Sequence, residues 1–289
     1  MGSFELNNDY IKIEVNSFGA ELKSLKKVHE DIEYLWQADG KYWNRTAPVL
    51  FPIVGRLKND EYLFNNTKYK MTQHGFARDY DFELISKTDE SLKFLLCENE
   101  ETLKKYPFNF TLEISYKLID STLIVSYEVK NQNQSSMYFS IGAHPAFNWP
   151  FGNEEKDSYY FEFESISSTK RHLLNIDGLL TSSRNININE NKLFIDDKTF
   201  NEDALIFNDK NIQTISLKSL QNNKSIKMNF KGFEYLGLWS KPSGAPFVCI
   251  EPWHGVADRK STNQNLEKKE GILKLQKDEI FSSSYSIEI

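Results

Sequence analysis

The sequence predicts an all-β fold, a large antiparallel β-sandwich with a few short helices, on three observations. Apolar residues recur at every second position over many short runs, the period of a half-buried strand. Aromatic residues make up 14% of the chain, with 21 Phe and 14 Tyr, and flat rings pack well on pleated surfaces. Helical periodicity is nearly absent. At 289 residues a sandwich can still form around one core, so a single domain spanning 1–289 is expected.

The alternation starts between Tyr10 and Val15, where Ile11, Ile13 and Val15 face one way and Lys12 and Glu14 the other. Gly19 and the segment 21–28 follow as the turn and partner of an opening hairpin. Phe82 and Leu84 mark one later strand, and Leu92, Phe94 and Leu96 the next. The clearest hairpin joins Leu112, Ile114, Tyr116 and Leu118 to Leu123, Val125, Tyr127 and Val129 across an Asp120-Ser121 turn. Further strands are expected at 159–163, 214–217, 225–230, 235–239, 247–250 and 285–289. Short helices are expected only at 100–105, behind an Asn99 cap, and at 265–270. The Asn/Lys-rich stretch 182–198 reads as an irregular surface excursion.

Charge and composition exclude several classes of function. A net charge of -6 without a basic patch makes nucleic acid and anionic membrane poor partners. No stretch approaches the roughly 20 apolar residues needed to span a bilayer, and the N-terminus has no secretory pattern, so a cytoplasmic protein is expected. The two cysteines, Cys97 and Cys249, lie in apolar strand-like runs and read as reduced core thiols. No H-x-x-x-H, C-x-x-C or H-E-x-x-H spacing supports a metal site, and no G-x-S-x-G, P-loop or G-x-G-x-x-G indicates an esterase, a nucleotide hydrolase or a dinucleotide cofactor. No cofactor is expected.

Chemistry concentrates in four blocks. The run 247–250 reads as a buried strand stopping at Glu251, because Pro252 cannot continue a ladder, so Glu251 is expected at a strand mouth, where a carboxylate can be tuned for proton transfer. His254, three residues on, is expected beside it. His144 sits in Gly142-Ala143-His144-Pro145-Ala146-Phe147-Asn148, where small neighbours leave room for a ligand, and Phe147 and Trp149 offer flat faces of the kind that pack on sugar rings. His74 lies in Gln73-His74-Gly75-Phe76-Ala77-Arg78, and Arg56 in Phe51-Pro52-Ile53-Val54-Gly55-Arg56. The chain has only six arginines, at 45, 56, 78, 171, 184 and 259, so two beside glycines in such blocks stand out. A planar guanidinium suits oriented bonds to hydroxyls or phosphates; the bland alternative is pairing with Asp60 or Asp79.

With Glu251-Pro252-Trp253-His254-Gly255 and Ala47-Pro48-Val49-Leu50 ahead of Arg56, these blocks resemble the aldose 1-epimerase (galactose mutarotase-like) family, its LacX-like branch above all, in family order and over nearly the whole chain. The resemblance implies the family's antiparallel supersandwich, with a sugar bound on a concave face. It implies Glu251 as the base at the anomeric hydroxyl, His144 as the acid at the ring oxygen, and His74 bonding around that oxygen. It further implies Arg56 and Asp203 as hydroxyl ligands, with Trp253 in the binding block. A Gly-x-Ala-Arg sequence after the first histidine also occurs in the hexose-6-phosphate mutarotase branch, which leaves a phosphate role open for Arg78. The expected partner is therefore a small-molecule sugar, a hexose or a phosphorylated one. Two other functions remain: a non-catalytic sugar-binding protein of the same fold, and a glycosidase pairing Glu251 with Asp203.

Overall fold

The computed structural model describes residues 2–30, 32–242 and 244–289. Two large antiparallel sheets dominate it. The nine-stranded sheet runs in the order Lys192–Phe194, Tyr159–Phe163, Thr214–Ser219, Ser225–Asn229, Ile280–Glu288, Thr122–Asn131, Phe110–Ile119, Ser91–Cys97 and Glu83–Lys87. The eight-stranded sheet runs Leu180–Asn187, Ser168–Leu174, Leu205–Phe207, Tyr235–Trp239, Phe247–His254, Ile141–Ala143 and Val49–Leu50, with Ala146–Asn148 paired off this path to Phe247–His254. Among the described residues, a three-stranded sheet of Ser3–Asn7, Ile11–Asn16 and Glu21–Lys27, a hairpin of Glu61–Phe64 and Thr67–Lys70, and a long-range pair of Met137–Phe139 with Leu273–Leu275 complete the strands.

One core lies between the large sheets. Leu112, Ile114, Tyr116, Leu123 and Val125 from the nine-stranded sheet join Leu236, Leu238, Val248 and Ile250 from the other in a continuous buried cluster. The other face of the eight-stranded sheet is apolar too, but in two separate patches. Leu50, Ile206, Tyr235 and Trp253 form one, and Trp36, Ala146, Phe247 and Cys249 the other. A face that is apolar without being covered by a second sheet is where a cavity can form.

The sequence-predicted alternation matches the strands closely, and Asn99 caps the helix Glu100–Lys105 through a capping box with Thr102. Four expectations change. The stretch 182–198 is not irregular: it contributes to Leu180–Asn187 and forms Lys192–Phe194, both at sheet edges, where outward polar residues disguise the pattern. The segment 265–270 holds only a single 3-10 turn, Leu266–Lys268. Cys97 is exposed on the outer side of its strand, whereas Cys249 is buried.

The fourth change matters most. The strand Phe247–His254 does not stop at Glu251 but runs straight through Pro252. Ile250 N donates to the carbonyl of Pro145, and two residues later the Pro252 nitrogen faces the same side. There the neighbouring strand is interrupted between Ile141–Ala143 and Ala146–Asn148, so no ladder bond is lost by a residue without an N–H. Glu251 is thus a mid-strand residue opposite Gly237, held on a rigid element.

Candidate active site

Side chains alternate along Phe247–His254, so Phe247, Cys249, Glu251 and Trp253 face away from the core. Glu251 and Trp253 meet a cavity of about 820 Å³ whose lining also includes Trp43, Arg45, Arg56, His74, Arg78, His144, Asp203 and Trp239. Its floor is the Trp253 indole. A Cβ on Gly237 would lie 2.5 Å from that ring and one on Gly142 2.6 Å from it, so two glycines clear the sheet surface for the flat side chain.

His144 leaves its strand at the gap described above and points at Glu251. Its Nε2 lies 3.1 Å from Glu251 Oε2, with Glu251 1% and His144 7% exposed. The approach is close but poorly aligned: Glu251 Oε2, His144 Nδ1 and Trp253 Nε1 all lack a hydrogen-bond partner. Three unsatisfied buried polar atoms in one place are costly without a ligand to receive them.

His74 is fixed by backbone geometry. It adopts φ 69° and Gly75 φ 70°, two successive left-handed residues in a tight loop, and a Cβ on Gly75 would lie 2.3 Å from the Phe51 carbonyl oxygen. His74 N donates to the Gly55 carbonyl at 2.9 Å, and Gly55 N donates back to His74 Nδ1 at 3.2 Å. With Nδ1 accepting, Nε2 carries the proton and is a donor; the Gln73 amide nitrogen lies 3.3 Å from it, and a half-turn of that carboxamide presents its oxygen as the acceptor. The His74 and His144 rings meet edge-on at 5.5 Å between centroids.

Burial sets the charge states. It pushes the His144 imidazolium down to about 3, helped by Arg78, and lowers His74 well below its ordinary range, helped by His144 and Arg78. Both rings are neutral at physiological pH. Burial works the other way on Glu251, raising its carboxyl well above the usual range; Asp203 adds to the rise and the Trp253 indole opposes it. The free site therefore favours one proton on Glu251 and an open lone pair on His144.

The walls are aromatic and cationic. Trp43 stacks on His144 at 4.8 Å and meets Trp239 edge-on at 5.8 Å. Arg56 is tied to Asp60 at 3.0 Å, and Arg45, not Arg78, pairs with Asp79, at 2.7 Å. Arg78 donates Nη2 to the Gln73 carbonyl, while its buried Nε has no partner; burial and Arg45 lower its guanidinium to about 10. Asp203 sits in a turn with φ 66°, and the buried Arg171 anchors that turn by bonding the carbonyls of Glu202 and Asp203 at 2.9 and 3.1 Å. Asp209, the carboxylate six residues on that is the sequence's other candidate near Asp203, lies outside the cavity lining and accepts from the Thr169 hydroxyl.

Among the candidates read from sequence, Glu251, His144, His74, Arg56, Arg78, Asp203 and Trp253 line one cavity. Phe147 does not. It is fully buried in the core between the sheets, one step out of phase with the cavity face, and Trp149 is likewise a core residue. His254 also turns away, because an odd spacing from Glu251 puts it on the core side against Phe233 and Ser283. The aromatic walls are Trp43 and Trp239, which the sequence did not single out; nor did it single out Arg45. One further grouping is chemical: His144, Cys249 and Glu251 bring three possible metal donors within 4.8 Å of one another.

A two-sheet supersandwich of this kind is the galactose mutarotase-like fold, and the comparisons with known proteins agree. The chain belongs to the aldose 1-epimerase family, whose sequence profile matches residues 2–272. It is 32% identical to the plasmid-encoded protein LacX of Lactococcus lactis subsp. lactis, over 99% of each chain. A galactose mutarotase related enzyme from Lactobacillus acidophilus superposes with a TM-score of 0.95 at 37% identity, covering 99% of this chain and 97% of that one. A galactose mutarotase-like protein from Lactobacillus casei gives 0.92 at 32%, with 99% of each chain covered. Among the described residues no helix is long and apolar enough to cross a membrane.

Proposed function

We propose that the chain, acting as one domain, is an aldose 1-epimerase that interconverts the α and β anomers of a hexose or related sugar. Opening a hemiacetal ring requires one proton taken from the C1 hydroxyl and one given to the ring oxygen; rotation about C1–C2 and closure then produce the other anomer. The observation that carries this reading is the approach of His144 Nε2 to Glu251 Oε2 at 3.1 Å inside an aromatic-walled cavity.

The pair holds one proton between its two members. In the free protein that proton rests on Glu251. The charge-separated form, with Glu251 ionised and His144 protonated, contains the same number of protons and is the reacting one, so a sugar seated against both groups needs no proton from solvent. Glu251 takes the C1 hydroxyl proton, His144 protonates the ring oxygen, and the neutral His74 offers its Nε2–H to that oxygen. Trp43 and Trp239 pack on the sugar faces, and Asp203 and Arg56 take hydroxyls. Reclosure reverses each transfer.

A second reading, a hexose-6-phosphate mutarotase, is favoured by one observation: Arg45, Arg56 and Arg78 all line the cavity, and Arg78 has a buried, unpartnered Nε. One experiment tests both. Freshly dissolved α-anomers, neutral and 6-phosphorylated, are followed by polarimetry or NMR at low ionic strength. Accelerated mutarotation is expected, and a phosphate preference that fades with salt marks the second reading. A protein that binds a sugar but accelerates none of them is a binding protein of this fold instead.

A further inference from the structure

Cys249 and Glu251 lie two residues apart on one strand and share its cavity face, while His144 comes from the break in the neighbouring strand. Their donor atoms lie within 4.8 Å of one another, with His144 Nε2 and Glu251 Oε2 at 3.1 Å. Bonds of about 2.0–2.3 Å in a tetrahedral zinc site place donors roughly 3.3–3.8 Å apart, so closing the widest gap asks for a shift of about 1 Å. Glu251 Oε2 has no hydrogen-bond partner and Glu251 is 1% exposed. His144 and Glu251 line the cavity together with His74, whereas Cys249 is fully buried and lies outside that lining.

We propose that His144, Cys249 and Glu251 form an inhibitory site for a borderline-soft divalent cation, zinc foremost. The donor set of one imidazole, one thiolate and one carboxylate selects zinc, cadmium or cobalt(II) over magnesium or calcium, which require several oxygen ligands. Charge also balances. A dication with one thiolate, one carboxylate and a neutral imidazole is neutral overall, which suits a buried position. Coordination sends the Cys249 thiol proton, and any proton on Glu251, to solvent and leaves one position open to the cavity. The apolar packing of Cys249 against Phe247 and Ala146 holds the sulfur near its place.

The consequence for catalysis rests on the mutarotase reading: the cation occupies the lone pairs of His144 Nε2 and Glu251 Oε2 that move protons, so zinc blocks turnover and competes with sugar. Binding itself does not depend on that reading. The test uses the full chain, untagged, with Cys97→Ser so that Cys249 is the sole thiol. Titration with cobalt(II) should produce a sulfur-to-metal charge-transfer band in the near ultraviolet together with intense visible bands of a tetrahedral ion. In that background Cys249→Ser should abolish the near-ultraviolet band. Glu251→Gln, which keeps the thiol and the shape of the site, should weaken cobalt and zinc binding at least tenfold. Zinc should inhibit mutarotation in the Cys97→Ser protein at concentrations at least tenfold lower than in the Cys97→Ser/Cys249→Ser protein. No sulfur band at saturating cobalt, or unchanged affinity in Glu251→Gln, overturns the site. A sulfur band in a protein that mutarotates nothing upholds the site and removes only the inhibition.

Discussion

Glu251 and His254 are three residues apart on the same strand, both buried, and their environments could hardly differ more. His254 points into the core, packs at a tilt on Phe233 at 4.2 Å between centroids and bonds Ser283 through Nε2 at 2.8 Å, so that nitrogen is spent. Burial lowers its imidazolium to about 4, as it does for His144, yet no acid or base stands beside it. Glu251 points into the cavity, with an unpartnered oxygen and a neutral imidazole 3.1 Å away. Burial perturbs both residues. What separates the two is whether hydrogen-bonding capacity is left open toward a space that a ligand can enter.

That contrast can be broken by substitution. The largest effect is expected on the cavity face: Glu251→Gln and His144→Asn should each slow mutarotation by about a hundredfold to ten-thousandfold, the range for losing a positioned proton-transfer group, with sugar binding largely retained by calorimetry. On the core face, His254→Ala should cost stability instead, about 2–4 kcal/mol in denaturant unfolding, from the lost packing and the unpaired Ser283 hydroxyl. Its kcat should stay close to that of the wild type. A His254→Ala protein that folds and loses activity as Glu251→Gln does would erase the distinction.

A smaller effect sharpens the comparison at the wall. Trp43→Ala removes the ring stacked on His144 and should raise KM roughly tenfold through lost ring packing, with a lesser change in kcat. The smallest is thermodynamic. Glu251 has a folded-state pKa above its unfolded value, so the native state binds the extra proton and stability falls as pH rises from the ordinary carboxylate range through the raised one. Glu251→Gln should therefore melt higher than wild type at alkaline pH, and the gap should shrink as pH falls toward the ordinary carboxylate range. A gap independent of pH would mean that the carboxyl is not perturbed.

The strands were legible because a period of two survives in sequence wherever one face is buried, as from Leu112 to Leu118 and from Leu123 to Val129. The motif residues of the site were legible through the resemblance of their blocks. What failed did so for local reasons. Pro252 concealed the continuity of its strand, because the gap between Ala143 and Ala146 that tolerates a proline is a tertiary fact. Phe147 was chosen for its ring beside His144, but adjacency in sequence puts neighbours on opposite faces of a strand, and its ring went to the core. Trp43 and Arg45 reach the cavity from an irregular segment without periodicity, so only the path of the loop reveals them. The trio of His144, Cys249 and Glu251 escapes spacing rules because its members meet across two strands.

If Glu251 and His144 share one working proton, the dependence of kcat/KM on pH carries its signature, because that profile reports the free protein's essential groups. From the ordinary behaviour of a carboxylate and an imidazole, rate would fall in acid as the glutamate protonates and in base as the histidine loses its proton. Burial reverses these assignments. The predicted profile, corrected for uncatalysed mutarotation, keeps full rate down through the ordinary carboxylate range, with an acid limb set by His144 near 3, and falls on the alkaline side where the raised Glu251 finally ionises. A narrow bell centred between the ordinary carboxylate and imidazole values would show that the two groups keep their ordinary acidities and share no such proton.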